Sequence, residues 1–196
     1  MSNRNRLYKA AGTVALLVLL CLVPLFVKQN YVLHVLIISG VGIVLASSLR
    51  FVFLGGQLSL AHGGMVSLGA YFSSLTVMRL GFSFWYSLVL AGVFVMLVSF
   101  GSGYLFTRLK GFYFAMVTMF LTMIIQLVAE QWRGLTGGVG GLTKIPRPGA
   151  IGFWDFSSKT DYYYLMLLIM VVSLLILYSL EHSRFGLTLA SVRESE

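Results

Sequence analysis

Residues Phe51 to Met78, FVFLGGQLSLAHGGMVSLGAYFSSLTVM, contain no Asp, Glu, Lys or Arg. A straight helix of that length would measure about 42 Å, against a bilayer hydrocarbon core of about 30 Å. The segment must therefore tilt or break. Gly55-Gly56 and Gly63-Gly64 are the natural break points, and between them lie Gln57, Ser59 and His62, polar groups that lipid penalises. The expectation is a discontinuous helix whose interruption faces the protein interior. Taken as continuous helix, Gly55, Ser59, Gly63 and Ser67 recur every four residues, the spacing that lets two helix backbones approach closely. Helix packing and the lining of a pathway both fit this pattern, because non-helical backbone at membrane depth is tolerated where protein buries it or it lines a cavity.

Outward from this stretch, uncharged apolar runs recur along the chain. They give spans at about residues 10–27, 31–49, 51–78, 85–107, 111–130 and 162–181 within a single transmembrane domain, residues 1–196. Each approaches or exceeds the roughly 20 residues a helix needs to cross a bilayer. Lipid-exposed backbone must satisfy its own hydrogen bonds, and no run shows the alternation of barrel strands. The expected fold is thus all-α, a polytopic transmembrane helical bundle of about six spans with the third segment broken. Composition agrees: only 10% of residues are charged and 58% are hydrophobic, whereas soluble domains carry about 25% charged residues. A soluble core of this size would not hide that much apolar area.

The net charge of +8 comes from Lys and Arg standing singly between apolar runs. Nucleic-acid binding needs them clustered on one face, so no nucleic acid is expected as a partner and the membrane lipid is. With the N-terminus cytoplasmic, Arg4, Arg6, Lys9, Arg50, Arg108, Lys110, Arg184 and Arg193 fall inside, and short outer loops keep only Lys28 and Arg79. The outer loop, residues 131–161, adds Arg133, Lys144, Arg147 and Lys159, but charge in longer translocated segments counts for less. Trp85, Trp132, Trp154 and Tyr162 to Tyr164 fall at the expected outer boundary, the headgroup level that aromatic rings prefer.

Chemistry within the chain is sparse. His34, His62 and His182 lie on three different segments without a second ligand at metal-binding spacing, so no metal site is expected. Cys21 is the single cysteine, which excludes an intrachain disulfide. No Ser, His and Asp stand in a catalytic arrangement, so the chain is not expected to be an enzyme. None of the carboxylates Glu130, Asp155, Asp161, Glu181, Glu194 and Glu196 lies mid-span, where a proton-coupled carrier usually places one, and any energy source is therefore expected in a partner. The run Leu135 to Leu142, LTGGVGGL, suits either a compact surface turn or an anion cradle of backbone amides. It is not a nucleotide loop, because GxxxxGK[ST] occurs nowhere in the chain.

Several blocks, taken together and in order, resemble the permease subunits of bacterial branched-chain amino-acid ABC importers, of the LivM-like type. They are Gly56 to Gly64 (GQLSLAHGG), Gly69-Ala70-Tyr71, Leu109 to Thr118 (LKGFYFAMVT), Leu135 to Gly138 with Gly141-Leu142, Ile145 to Pro148, Ser183 to Gly186, and Val192-Arg193-Glu194. Ala61 stands where that family commonly has glycine, and Met123 near a usual acidic residue. The resemblance implies a subunit in the bacterial cytoplasmic membrane that pairs with a second permease subunit. Two cytoplasmic ATPase subunits would use ATP, with no cofactor in this chain, and an extracytoplasmic solute-binding protein would deliver a branched-chain amino acid. It assigns Gln57, Ser59 and His62 to the substrate pathway, Thr136, Gly137 and Gly138 to a loop facing the binding protein, and Gly186, Arg193 and Glu194 to the ATPase seat. Members of that family continue through further helices, so the chain is expected to be the N-terminal part of a longer permease. A urea or short-chain amide permease shares these motifs, and a non-transporting membrane scaffold is the alternative outside transport.

Overall fold

The computed structural model describes residues 18–24, 29–106, 108–109, 111–149, 156, 158–184, 186 and 188. The described residues are helical, without strands: residues 18–24 (α1), Asn30–Leu54 (α2), His62–Leu80 (α3), Phe84–Phe106 (α4), Gly111–Gln131 (α5), Arg133–Thr136 (α6), a 3₁₀ turn at Gly138–Gly140, and Lys159–Glu181 (α7). α2, α4, α5 and α7 are each long and apolar enough to cross a membrane. Of the apolar window in α4, only 6% is buried within the protein. Val89, Leu97 and Phe100 on that helix stand exposed, as do Ile124 on α5 and Leu175 on α7. Such surfaces are stable only in hydrocarbon or against further protein. The chain is therefore a multi-pass membrane protein. Most of the expected first span, residues 10–27, lies outside the described residues.

The break in the expected third span is real, and its place differs from the spacing of charges. α2 does not stop at Arg50 but runs on to Leu54. A guanidinium near a helix end reaches water on its long stem without ending the helix, and Arg50 also pairs with Glu181 at 2.7 Å. What stops α2 is the glycine pair. The amides of Gly55 and Gly56 fold back on the carbonyls of Val52 and Phe53, each at 3.0 Å, and Gly56 takes φ 80°, a left-handed conformation that glycine adopts without steric cost. Residues 55–61 are not helical, and α3 begins at His62. Gly55 and Ser59 consequently share no helix face with Gly63 and Ser67, and the four-residue repeat is not a packing stripe.

Close approach falls on other small residues. A side chain on Gly64 would come within 3.0 Å of the Thr122 Cα, so α3 and α5 touch backbone to backbone there, whereas Gly63 has only the Thr122 methyl at 3.9 Å. Gly69 meets Val95 across the α3–α4 hairpin, in which Phe72 and Phe94 stack at 4.3 Å with their planes 8° apart. Near the turn, fully buried Ser87 donates to the Ser73 carbonyl at 2.6 Å and pairs with the Thr76 hydroxyl. Hydroxyls at this depth are stable because each finds a partner.

α2 and α7 pack in parallel. Lys159 at the start of α7 reaches the Asn30 carbonyl at the start of α2, 3.4 Å, and the Arg50–Glu181 pair ties their far ends. Midway, Gly40 makes room for Met166 and Met170. α7 opens with a capping box in which Ser158 and Asp161 satisfy each other's backbone amides. An aromatic chain, Trp85 to Phe156 at 5.5 Å and Phe156 to Tyr162 at 6.2 Å, joins the starts of α4 and α7.

Candidate functional site: the broken segment and its cavity

The non-helical segment is sealed by α5. The Leu60 amide donates to the Thr118 hydroxyl at 3.0 Å, and the Thr122 hydroxyl donates to the Leu60 carbonyl at 2.9 Å. Thr118 and Thr122 stand one turn apart in α5, seven and eleven residues after its start at Gly111, which places them about 10 and 16 Å along the helix. Open backbone at that depth would cost several kcal/mol per unpaired group, and these two hydroxyls remove the deficit at Leu60. Ser59, itself buried, accepts from the Ala61 amide at 3.4 Å and so turns the chain into α3.

Beside the break lies a cavity of about 900 Å³ walled by α2, the break, α3, α4 and α5, within the range of small-molecule sites, roughly 300–1,000 Å³. Its lining is mostly aliphatic or small, including Val52, Met65, Leu88, Ala91, Gly92 and Val95, with Ser48, Ser59, His62, Ser73, Ser74, Ser99, Ser102 and Thr118 as the polar positions. Nothing lies within 4 Å of where a Gly92 side chain would begin, so this wall is smooth and open. Of the three residues expected in the break, Ser59 and His62 line the cavity, while Gln57 is half-buried and does not. His62 Nδ1 is buried without a hydrogen-bond partner. Among the described residues no group of His, Cys, Asp and Glu converges as a metal site would require.

The glycine run at the end of α5 forms a self-contained knot. The Thr136 hydroxyl lies 2.5 Å from the Ala129 carbonyl and 2.8 Å from that of Trp132, and it accepts from the Gly138 amide at 3.3 Å. Gly137 and Gly141 donate to Arg133 and Gly138, at 3.2 and 3.0 Å. The amides of Gly137, Gly138 and Gly141 thus have partners inside the loop, as a compact turn requires. Gly137 takes φ 80°, and a side chain there would collide with the Gly141 carbonyl. Arg79 at the end of α3 donates to the Gly134 carbonyl, fastening the knot to the bundle. Past α7, Gly186 sits where a side chain would strike the Leu180 and Glu181 carbonyls; Arg193 and Glu194 lie outside the described residues.

Thr118 and Thr122 carry the break, and sequence reasoning assigned them no role. Their signal is faint: two hydroxyls one turn apart on an otherwise apolar helix ordinarily bond to their own preceding turn, as Thr118 also does to Phe114 and Ala115 at 2.9 Å.

A multi-pass helical bundle whose backbone opens at membrane depth and is closed there by protein beside an elongated cavity is a membrane protein of the permease class. The chain belongs to the family described as "Branched-chain amino acid transport system / permease component", whose model matches residues 31–196. It is 31% identical to the high-affinity branched-chain amino acid transport system permease protein LivM of Escherichia coli (strain K12), over 93% of this chain and 48% of that protein. The LivM protein of Salmonella typhimurium (strain LT2) is 30% identical over the same shares. The chain thus spans about half the length of the curated relatives it matches. No solved structure matches it.

Proposed function

We propose that this chain is part of a membrane permease subunit of an ABC importer for branched-chain or other hydrophobic amino acids, in the bacterial cytoplasmic membrane with its N-terminus cytoplasmic. The observation that carries the proposal is the cavity beside the break: about 900 Å³, walled by four helices, chiefly aliphatic or small, with serines, one threonine and one histidine as its polar groups. That lining suits a solute with a hydrocarbon side chain and a small polar head better than it suits urea, which has no apolar part. The energy would come from two ATPase subunits seated near Gly186, Arg193 and Glu194, because the carboxylates of α5 and α7, Glu130, Asp161 and Glu181, stand at helix ends rather than mid-membrane. A second permease subunit would complete the path. The knot of Thr136, Gly137 and Gly138 would face the solute-binding protein, as a rigid platform suits a surface that must dock and release.

The test is uptake of radiolabelled leucine and urea by a strain lacking only this subunit, complemented with wild type or with Gly92→Trp, which fills the cavity. Leucine uptake restored by wild type and lost in Gly92→Trp, with the ATPase still copurifying, supports the proposal. Restoration of urea uptake alone, or normal leucine uptake with the cavity filled, overturns it.

A further inference from the structure

We propose, resting on the transport reading above, that the His62 end of the cavity receives the zwitterionic head of a free α-amino acid. Its carboxylate lies at His62 Nε2 and the start of α3, and its side chain runs along α4 toward Gly92.

The register of the α3–α4 hairpin places the parts. Thr76 meets Ser87 and Gly69 meets Val95, so the antiparallel pairing, continued, sets His62 level with Ser102. His62, Ser59, Ser99 and Ser102 therefore lie at one end of the cavity, and Leu88, Ala91 and Gly92 line the other, where the polar lining is Ser73 and Ser74.

Three features of the polar end match a zwitterion. The first is the tautomer of His62. A proton on Nδ1 would be buried without an acceptor, since that atom has no partner; placed on Nε2 it leaves only a lone pair unpaired at Nδ1, and because His62 lines the cavity this N–H is a donor for an occupant. The second is the start of α3, a 19-residue helix with no side-chain cap and no acidic residue in its first turn. It leaves the positive end of a helix dipole at the cavity wall, where an anion is favoured. The third is Ser102, whose hydroxyl donates to the Ser99 carbonyl at 3.2 Å. Its proton is engaged and its lone pair remains, which suits an ammonium group.

The test uses the full-length permease in lipid nanodiscs, labelled with [¹⁵N]histidine and assigned by His62→Gln. L-leucine, leucinol, which lacks the carboxylate, and 4-methylpentanoate, which lacks the ammonium group, are added separately. The proposal requires His62 to carry its proton on Nε2 and that resonance to move with leucine, less with 4-methylpentanoate, and not with leucinol. In the complete transporter, His62→Leu should lower leucine uptake at least tenfold, while His62→Gln, which keeps a donor, stays within threefold. A proton on Nδ1, equal responses to leucine and leucinol, no response to leucine, or equal uptake by the two variants overturns it. The same response to any carboxylate of a lipid would mean a lipid site and would also overturn it. If Gly92→Trp still blocks uptake in those cases, the transport reading stands and only the orientation falls; normal uptake by Gly92→Trp removes both.

Discussion

Replacing Thr118 with valine keeps the side-chain volume and removes one acceptor. The group left without a partner is the Leu60 amide, 3.0 Å from the Thr118 hydroxyl, at a position where Thr118 is only 2% exposed. Orphaning a fully buried amide costs about 1–3 kcal/mol; the Leu60 bond is part-buried, and in membrane proteins the unfolded state also finds partners, so the lower part of that range applies, about 1–2 kcal/mol. In a chain of this size that lowers the midpoint of thermal unfolding in mild detergent by about 2–8 °C. Thr118→Ser keeps the oxygen and loses a buried methyl, about 0.8 kcal/mol. Stability alone separates the two variants narrowly, so the decisive assay is amide exchange at Leu60. A loss of 1.4 kcal/mol there accelerates exchange about tenfold in Thr118→Val, and Thr118→Ser leaves it within about threefold. Unchanged protection of Leu60 in the valine variant would refute the claim that α5 closes the break.

Other outcomes follow from the same contacts. Gly64→Ala should cost about 1–3 kcal/mol in detergent unfolding, because the new methyl would meet the Thr122 Cα at 3.0 Å, while Gly92→Ala, with nothing within 4 Å, should be close to neutral. Gly137→Ala should open the knot after α5, since φ 80° and the Gly141 carbonyl both oppose a side chain; limited proteolysis within residues 133–142 should become faster while unfolding of the helices is little changed. Arg50→Ala should cost less than about 1 kcal/mol, because its side chain is 69% exposed beside Glu181, and the loss should shrink further as salt is raised.

The class of the fold was legible because apolar runs of membrane-spanning length leave a chain few structural choices. The break was legible too, from two glycine pairs around polar residues. Its position was not, because charge spacing puts a boundary at Arg50, whereas an arginine long enough to snorkel leaves its helix intact up to Gly55. Nor was the seal legible. Sequence shows that Leu60 needs partners but not that Thr118 and Thr122, 58 and 62 residues later, supply them. The small-residue repeat misled for a related reason: a period of four has meaning only on helix, and half of its members lie outside one. His62 could be picked out as the one histidine in the break. That its Nδ1 is buried without a partner depends on packing that no local pattern encodes.

The parallel run of α2 and α7 imposes a parity rule on everything between them. Two helices pointing the same way, tied at both ends, force the intervening chain to traverse the bilayer an odd number of times. α4 and α5 supply two traverses, so Gly55 to Leu80 must make the third, although α3 is not among the helices apolar enough to qualify unaided. Its orientation is thus inherited from its neighbours. Deleting any one traverse would turn α7 upside down and part Arg50 from Glu181 by the thickness of the membrane.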